Sequence, residues 1–193
     1  IGNFLNVNRK NAIVISFDTI TSLKVYELRK NQWLKIFQQN NVDIARIFAI
    51  QTFVEDYNFD GIKDIAIKNQ VSNGTAIMTF HLWLSEGNTF KYIPEFKEIG
   101  NPTIIEKLKI IKGFKACCAF TEISISDYHW SKTKLNKVSE LNIGNYVYGV
   151  KARQKDLIKK VDKTITLTIK EITEIINNYS ENWKVKDTTT NSH

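Results

Sequence analysis

The sequence predicts a mainly β protein, built as a meander of antiparallel hairpins with one or two short helices. Apolar and polar residues alternate with a period of two along most of the chain, in segments rich in β-branched and aromatic side chains. Short polar turns separate these segments. The 193 residues include only 8 glycines and 2 prolines, so long linkers are not expected.

The alternating segments extend from the first residues to the last quarter of the chain. Each is of strand length or slightly longer, and each is bounded by polar or glycine-containing residues. In order they are 11–18 (NAIVISFD), 22–28 (SLKVYEL), 33–39 (WLKIFQQ), 45–55 (ARIFAIQTFVE), 64–69 (DIAIKN), 75–85 (TAIMTFHLWLS), 89–93 (TFKYI), 115–126 (KACCAFTEISIS), 146–152 (YVYGVKA) and 163–172 (KTITLTIKEI).

Three hairpins share a common pattern. They are residues 24–37, 80–93 and 126–139, with polar turns RKNQ, SEGN and SKTK. In each, an apolar residue begins the return strand: Trp33, Phe90 or Leu135. Repetition of this kind predicts stacked sheets of similar build, as in a small or degenerate β-propeller. The alternative is that unrelated hairpins resemble one another.

Two segments interrupt the β pattern. Residues 101–113 (NPTIIEKLKIIKG) have Pro102 near the start and Gly113 at the end, which favours a short helix or a turn. Residues 170–185 place apolar side chains at helical spacing, so they predict an amphipathic helix packed against the sheet. The residues of this stripe are Ile172, Ile175, Ile176, Tyr179 and Trp183.

Size and charge limit the organisation and the partners. A chain of this length with 42% hydrophobic residues can bury one core, so we predict a single domain over residues 1–186 and a flexible tail over 187–193. The net charge of +7 comes from lysines scattered along the chain, which favours a solvated surface over a nucleic-acid site. No apolar run is long enough for a membrane helix. The first residue is Ile1, and we take this to indicate that a signal peptide or lipoprotein leader has been removed.

The stretch DYNFDGIKD, residues 56–64, concentrates oxygen donors at regular spacing. Counted from Asp56, positions 1, 3, 5 and 9 carry carboxylates or an amide, and position 6 is Gly61, which permits a sharp turn. Position 7 offers a backbone carbonyl. An EF-hand would need glutamate at position 12, where this chain has Ile67. The predicted Ca²⁺ ligands are Asp56, Asn58, Asp60, Ile62 (through its carbonyl) and Asp64.

Two other interpretations of this stretch remain open. Asp, Asn and Gly also favour ordinary solvated turns. A pair of the carboxylates could serve as catalytic acid and base, although ligation to an ion would keep them ionised and occupied. Tyr57 and Phe59 alternate with the ligands, and we expect them to point away from the ion and pack beneath it.

The remaining reactive side chains do not match the sequence patterns of known catalytic or cofactor sites. Neither His81, His129 nor His193 has a partner at zinc-site spacing. No glycine-rich phosphate loop or nucleophile elbow is present in the sequence. The adjacent Cys117 and Cys118 would point to opposite faces of a strand, so we predict two small buried apolar side chains rather than a disulfide or a metal site. We therefore expect a protein that is not an enzyme.

The loop and the segments after it resemble known sequences. D-x-N-x-D-G-x-x-D followed at once by a strand resembles the calcium loops of FG-GAP and VCBS-type repeats in extracellular propellers. Residues 54 to about 140, including FHLWLSEGNTFKYIPEFKEIGNP and DYHWSKTKLNKVSEL, resemble a narrower family of bacterial periplasmic lipoproteins. Its members include immunity proteins that block peptidoglycan-cleaving effectors delivered by rival bacteria through secretion systems, on a propeller-like fold.

The resemblance implies a calcium-binding protein that inhibits a secreted cell-wall-degrading toxin in the periplasm, where it would be free or anchored to the outer membrane. A toxin inhibitor needs aromatic and polar anchors on a rigid scaffold. The alternative is a calcium-stabilised extracellular domain for adhesion or glycan binding. The candidate partner-binding residues are Tyr128, His129, Trp130, Tyr146 and Tyr148.

Overall fold

The computed structural model describes residues 1–6, 8–44, 50–71, 77–87, 89–117, 121–144 and 150–182. Within them the protein is mainly β, all strand pairs are antiparallel, and one α-helix follows the last strand. None of the described sheets closes into a barrel. No helix in this part of the chain is long and apolar enough to cross a membrane.

The chain forms two compact units, which are described separately. The first comprises Ile1–Val71 with Met78–Ile99, and the second comprises Ser72–Ile77 with Gly100–His193. The prediction of one domain over residues 1–186 is not tested by this division and stays a prediction. The predicted tail at 187–193 lies outside the described residues.

The first unit contains two four-stranded meanders. Their orders are β1-β2-β3-β4 and β5-β6-β7-β8, so each strand pairs with its neighbour in sequence, as in a propeller blade. A 3₁₀ turn at Pro94–Glu98 follows the second sheet. The strands are β1 (Gly2–Asn6), β2 (Arg9–Phe17), β3 (Thr21–Arg29), β4 (Gln32–Asn40), β5 (Thr52–Glu55), β6 (Asp64–Val71), β7 (Met78–Glu86) and β8 (Thr89–Ile93).

Both sheets of the first unit contribute to one hydrophobic core. The alternation in β3 directs Leu23 and Val25 inward, and the alternation in β6 does the same for Ile65 and Ile67. Trp83 of β7 is fully buried in this core. The period-two pattern of the sequence therefore identifies the residues of β3 and β6 that face this core, although β6 and β7 are buried on both faces.

The second unit is a six-stranded sheet covered in part by the helix. The strand order is β14-β13-β12-β11-β10-β9, again a simple meander. A 3₁₀ turn at Glu106–Leu108 joins its first two strands. The elements are β9 (Thr103–Ile105), β10 (Ile110–Cys117), β11 (Glu122–Ser131), β12 (Lys134–Gly144), β13 (Val150–Asp156), β14 (Val161–Leu167) and α1 (Ile169–Asn182).

The predicted amphipathic helix is confirmed as α1. Ile172 is buried, and Ile175 and Ile176 pack beside it against the sheet core formed by residues such as Phe114 and Ile143. Thr168 and Glu171 fix the start of the helix by a reciprocal capping box: the Glu171 N–H donates to Thr168 Oγ1 at 3.2 Å, and the Thr168 N–H donates to Glu171 Oε2 at 2.7 Å. The Tyr179 side chain and Trp183 lie outside the described parts.

Residues 101–113, for which a short helix or a turn was predicted, instead form a short hairpin of β9, a 3₁₀ turn and the start of β10. Only Glu106–Leu108 is 3₁₀-helical, and Gly113 lies within β10. The β-branched residues explain this result, because Ile105 pairs with Ile110 and Ile104 pairs with Ile111 across the hairpin.

The polar turns predicted for the three similar hairpins are confirmed. Lys30 and Asn31 both have positive φ, as a two-residue type I′ turn requires. Gly87 has positive φ in the β7–β8 turn, and Lys132 does in the β11–β12 turn.

Candidate metal centre

The candidate site is the connection between β5 and β6, and we call residues 56–64 the acidic loop. Glu55 and Asp64 are the last antiparallel pair of these two strands, so the loop closes directly on the sheet. The strand that resumes at Asp64 explains why no EF-hand helix comes after the loop. The loop has the β-connecting position that the sequence predicts for it.

Side-chain oxygens of the loop accept hydrogen bonds from its own backbone. The Asp60 N–H donates to Asp56 Oδ1 and to Asn58 Oδ1, both at 3.1 Å, and the Gly61 N–H donates to Asp56 Oδ2 at 2.8 Å. The Ile62 N–H donates to Asp60 Oδ1 at 2.7 Å. These short-range bonds are of the kind that Asp and Asn favour in turns, and they bend the chain around its oxygens.

Two residues of the loop adopt left-handed backbone conformations. Gly61 has φ +88°, which costs a glycine little. Phe59 has φ +64°, and a bulky side chain is strained there. A Cβ at Gly61 would meet no atom within 4 Å, so it is the backbone conformation that makes glycine the suitable residue at this position.

Asp64 ties the loop to the interior of the first unit. Its side chain is fully buried, and each carboxylate oxygen accepts one backbone hydrogen bond: Oδ2 from Tyr57 at 2.8 Å and Oδ1 from Ser85 at 2.9 Å. Burial, followed by the negative charges of Asp60 and Asp56, raises the pKa of Asp64 to about 7, even though both backbone N–H groups favour the ionised form. The three carboxylates of the loop therefore repel one another.

A buried aromatic pair packs beneath the acidic loop. Tyr57 is buried, and its ring meets the ring of Phe96 edge to face at a centroid distance of 5.4 Å. Phe96 is itself fully buried in the 3₁₀ turn after β8. The expected packing beneath the loop is confirmed for Tyr57, whereas Phe59 is only half-buried.

The donor chemistry of the loop fits a hard divalent cation. Three carboxylates, the Asn58 amide and the Ile62 carbonyl are all oxygen donors, the type that Ca²⁺ prefers. Ser85 adds a buried hydroxyl with no hydrogen-bond partner among the described residues, and its own N–H already binds Asp64. Within the same residues, no three His, Cys, Asp or Glu side chains converge into a ready-made metal-ligand group. Calcium binding by the acidic loop stays a prediction.

The Ser85 contact is the part of the site that sequence analysis missed. Ser85 lies 21 residues beyond Asp64, in β7, and period-two alternation predicts only that one face of that strand is inward. Nothing in the sequence indicates that its N–H meets the end of the loop. Knowledge of the strand order would have predicted the Ser85–Asp64 contact, because β6 and β7 are neighbours in the sheet.

The candidate partner-binding residues belong to the second unit. Tyr128, His129 and Trp130 are consecutive in β11, with His129 exposed and the two aromatic residues half-buried. Lys137 lies over the Tyr128 ring at 6.0 Å from its centroid. Tyr146 and Tyr148 lie outside the described residues. Partner binding by these residues stays a prediction.

His81 has the structural role expected of a lone strand histidine. Its Nε2 lies 2.6 Å from the Asp43 carbonyl oxygen and its Nδ1 lies 2.7 Å from the Tyr92 hydroxyl. A carbonyl can only accept, so Nε2 carries the proton and Nδ1 accepts from Tyr92. Burial is the main cause that lowers the pKa of His81.

Cys117 corrects one prediction. It is half-buried at the end of β10, and its thiol donates to Glu122 Oε2 at 3.1 Å. The expectation of a buried apolar side chain is therefore wrong for Cys117, because the strand ends there and leaves the thiol next to a carboxylate. Cys118 and His193 lie outside the described residues.

Comparison with known proteins shows similarity in fold. No protein-family model matches the chain, and no curated protein sequence matches it. Among solved structures, the chain is similar to one described as the structure of a Xanthomonas type IV secretion system related protein, with a TM-score of 0.51 and 11% sequence identity. The match covers 81% of this chain and 86% of that chain. At this identity the similarity establishes the fold alone.

Proposed function

We propose that the chain is a calcium-stabilised binding protein, not an enzyme, that inhibits a secreted cell-wall-degrading toxin in the bacterial periplasm. The observation that carries the proposal is the acidic loop, closed by its own Asx-type hydrogen bonds and tied to β7 through the buried Asp64. Its residues would hold the ion through Asp56, Asn58, Asp60, Asp64 and the Ile62 carbonyl.

The fold similarity supports the biological setting of the proposal. The similar solved structure is described as type IV secretion system related, and the match extends over most of both chains. The resemblance of residues 54 to about 140 to periplasmic immunity lipoproteins leads to the same setting by a separate route. Periplasmic location, with or without a lipid anchor, belongs to this proposal.

The role of the loop in this function is mechanical. Three mutually repelling carboxylates destabilise the β5–β6 connection, and a bound divalent cation would supply the positive charge that offsets this repulsion. An ordered loop would hold Asp64 in its hydrogen bond to the Ser85 N–H of β7. It would also hold Tyr57 in its packing against Phe96 in the core. A rigid scaffold lowers the entropy cost of binding a partner.

In the second unit, β11 offers the contact residues of the proposed inhibitor. Tyr128 and Trp130 lie half-buried on one face of the strand and His129 lies exposed on the other, so a partner that encloses the β11–β12 hairpin would contact both faces. Aromatic anchors of this kind dominate binding energy where they are buried by a partner. The proposed partner is a peptidoglycan hydrolase whose active-site cleft would receive this strand or its hairpin.

Calcium binding is tested by calorimetric titration of metal-free protein with CaCl₂. We expect a single site that Asp60→Ala abolishes. Glu86→Gln is the matched control, because Glu86 is an exposed acid of the same unit that lies outside the loop. Absence of calcium binding by the unaltered chain would refute the proposed calcium site.

Inhibition is tested separately, with peptidoglycan suspensions and purified muramidases, amidases and endopeptidases in the presence of calcium. We expect the chain to slow clearing by one enzyme class, and His129→Ala with Trp130→Ala to weaken that effect by at least about tenfold. A chain that binds calcium but inhibits none of the three classes would refute the inhibitor role. Binding to peptidoglycan fragments without inhibition would favour the glycan-binding alternative.

A further inference from the structure

One end of the six-stranded sheet in the second unit carries a distinctive set of turns. Because the sheet is a simple meander, alternate connections lie at the same end: the β9–β10, β11–β12 and β13–β14 turns. These are residues 106–109, 131–134 and 157–160, and we call them together the lysine end. All twelve residues are exposed.

The lysine end has a strong excess of positive charge. Each turn contains two lysines, and Glu106 is the one acid among the twelve residues. No ion pair involves any of these lysines within the described part of the chain, whereas Lys112 and Lys137 further down the sheet are paired with Asp127 and Glu140. The six unpaired lysines are Lys107, Lys109, Lys132, Lys134, Lys159 and Lys160.

Two of the three turns, 106–109 and 157–160, also expose large aliphatic side chains. Ile158 is 70% exposed, Leu108 is 60% exposed and Leu157 is 46% exposed. Leu157 and Ile158 are held there by the backbone, since the Leu157 N–H donates to the Val138 carbonyl at 2.8 Å and the Ile158 N–H donates to Asp156 Oδ1 at 3.1 Å. These side chains are displayed on an ordered turn.

The three turns are spread across the sheet end and do not project equally. Neighbouring turns of this set are two strands apart, about 10 Å, so the three tips span about 20 Å across the sheet end. The pairing of Asp127 with Ser139, and of Ser139 with Asp156, places the β13–β14 turn about four residues, or about 13 Å, behind the β11–β12 tip.

We infer that the lysine end is a docking surface for an anionic lipid bilayer. Lysine ammonium groups pair with lipid phosphates, and each contributes favourably near an anionic membrane. The exposed aliphatic side chains enter the boundary between headgroups and acyl chains, where burial of their apolar surface strengthens binding. A nucleic-acid backbone would use the lysines but offers no apolar layer for Leu108 and Ile158. This inference does not rest on calcium binding or on toxin inhibition.

The backbone provides a substitution that removes charge without loss of fold. Lys109, Lys132 and Lys160 all have positive φ, at 51°, 56° and 54°. Asparagine adopts this left-handed conformation more readily than lysine does. The triple variant K109N/K132N/K160N therefore keeps the turns while it removes half of the lysines.

The test is co-sedimentation of the full chain with vesicles of phosphatidylcholine containing about 30% phosphatidylglycerol, compared with pure phosphatidylcholine, in about 0.1 M NaCl. We expect binding to the anionic vesicles only. Each lysine lost should weaken partitioning by about fivefold, so the triple variant should bind about 100-fold more weakly. The variant L108S/I158S, which keeps every charge, should lose about tenfold.

The matched control is K10Q/K30N/K35Q, which removes three exposed lysines of the first unit and lowers the net charge equally. It should bind within a few-fold of the unaltered chain. The inference is overturned if the unaltered chain ignores anionic vesicles, or if the control loses as much as K109N/K132N/K160N. It is also overturned if L108S/I158S binds normally and duplex DNA or poly-glutamate competes as well as vesicles, since the surface would then be a general polyanion site.

Discussion

The acidic loop and the lysine end are charged regions of opposite sign, and their charged groups have opposite environments. The carboxylates of Asp56 and Asp60 accept hydrogen bonds from the acidic loop's own backbone N–H groups, and the carboxylate of Asp64 is completely buried. The lysine end turns its ammonium groups outward and leaves them without ion pairs among the described residues. Inward oxygens are suited to holding an ion, and outward lysines beside exposed aliphatic tips are suited to meeting an extended surface.

The difference also separates their contributions to stability. A buried carboxylate is part of the interior, so its loss leaves unpaired donors where water does not reach. An exposed lysine on a turn contributes little to folding. Substitutions in the acidic loop should therefore change stability, and substitutions in the lysine end should change only what the protein binds.

The largest effect is expected for Asp64→Ala. The substitution leaves the Tyr57 and Ser85 N–H groups without their acceptor, which should cost about 2–4 kcal/mol of unfolding free energy even in metal-free buffer. Urea unfolding at neutral pH measures it, with the exposed Glu86→Ala as the control, expected within about 0.5 kcal/mol of the unaltered chain. Equal stability of the two variants would show that Asp64 is not the tie between loop and sheet.

The next effect is the response of the acidic loop to calcium. At a free concentration about 100-fold above the dissociation constant, calcium should add about 2.7 kcal/mol to the unfolding free energy of the unaltered chain, and a chelator should remove it. Asp60→Ala should show no such increase, because it removes one predicted ligand and the acceptor of the Ile62 N–H. K109N/K132N/K160N should respond fully, and a lost response there would contradict the independence of the two regions.

A smaller effect is expected from acid acting on buried His81. Burial lowers the pKa of His81 in the folded state below its ordinary value of about 6.5, so the unfolded chain binds more protons below that pH. Stability is therefore fully present above pH 6.5 and is lost as the pH falls below it, by at most about 1.4 kcal/mol per pH unit.

The measurement for His81 is the difference between the unaltered chain and His81→Gln, in urea titrations from pH 7 to pH 5. The difference is needed because the raised pKa of Asp64 acts with the opposite sign, stabilising the metal-free fold as the pH falls. If the two chains lose stability in parallel, His81 is not the source.

The smallest effect is expected for the lysine end itself. K109N/K132N/K160N should melt within about 2 °C of the unaltered chain, because asparagine tolerates positive φ at all three positions and no described ion pair is lost. Circular dichroism melting curves measure this. A large drop in melting temperature would mean that these lysines stabilise the fold. The lysine end and the acidic loop would then not differ in their contribution to stability.

Local patterns were sufficient for much of the architecture. Alternation predicted the inward-facing Leu23, Val25, Ile65 and Ile67, because the side-chain period of a strand holds wherever one face is buried. Helical spacing predicted that Ile172 packs on the sheet. The capping box of Thr168 and Glu171 was also readable from the sequence, as a Thr followed three residues later by Glu, and was missed.

The sequence by itself determined most of the strands, the hairpin turns and the set of oxygen ligands in the acidic loop, because each of these depends on residues close together in the chain. The short strands β1 and β9 were not predicted. Only the tertiary structure decided that Asp64 meets Ser85 and that Tyr57 meets Phe96. It also decided that turns 106–109, 131–134 and 157–160 share one sheet end. These contacts and alignments join residues that are distant in the sequence, and strand order and register fix them. A local sequence pattern does not indicate which strands pair with each other.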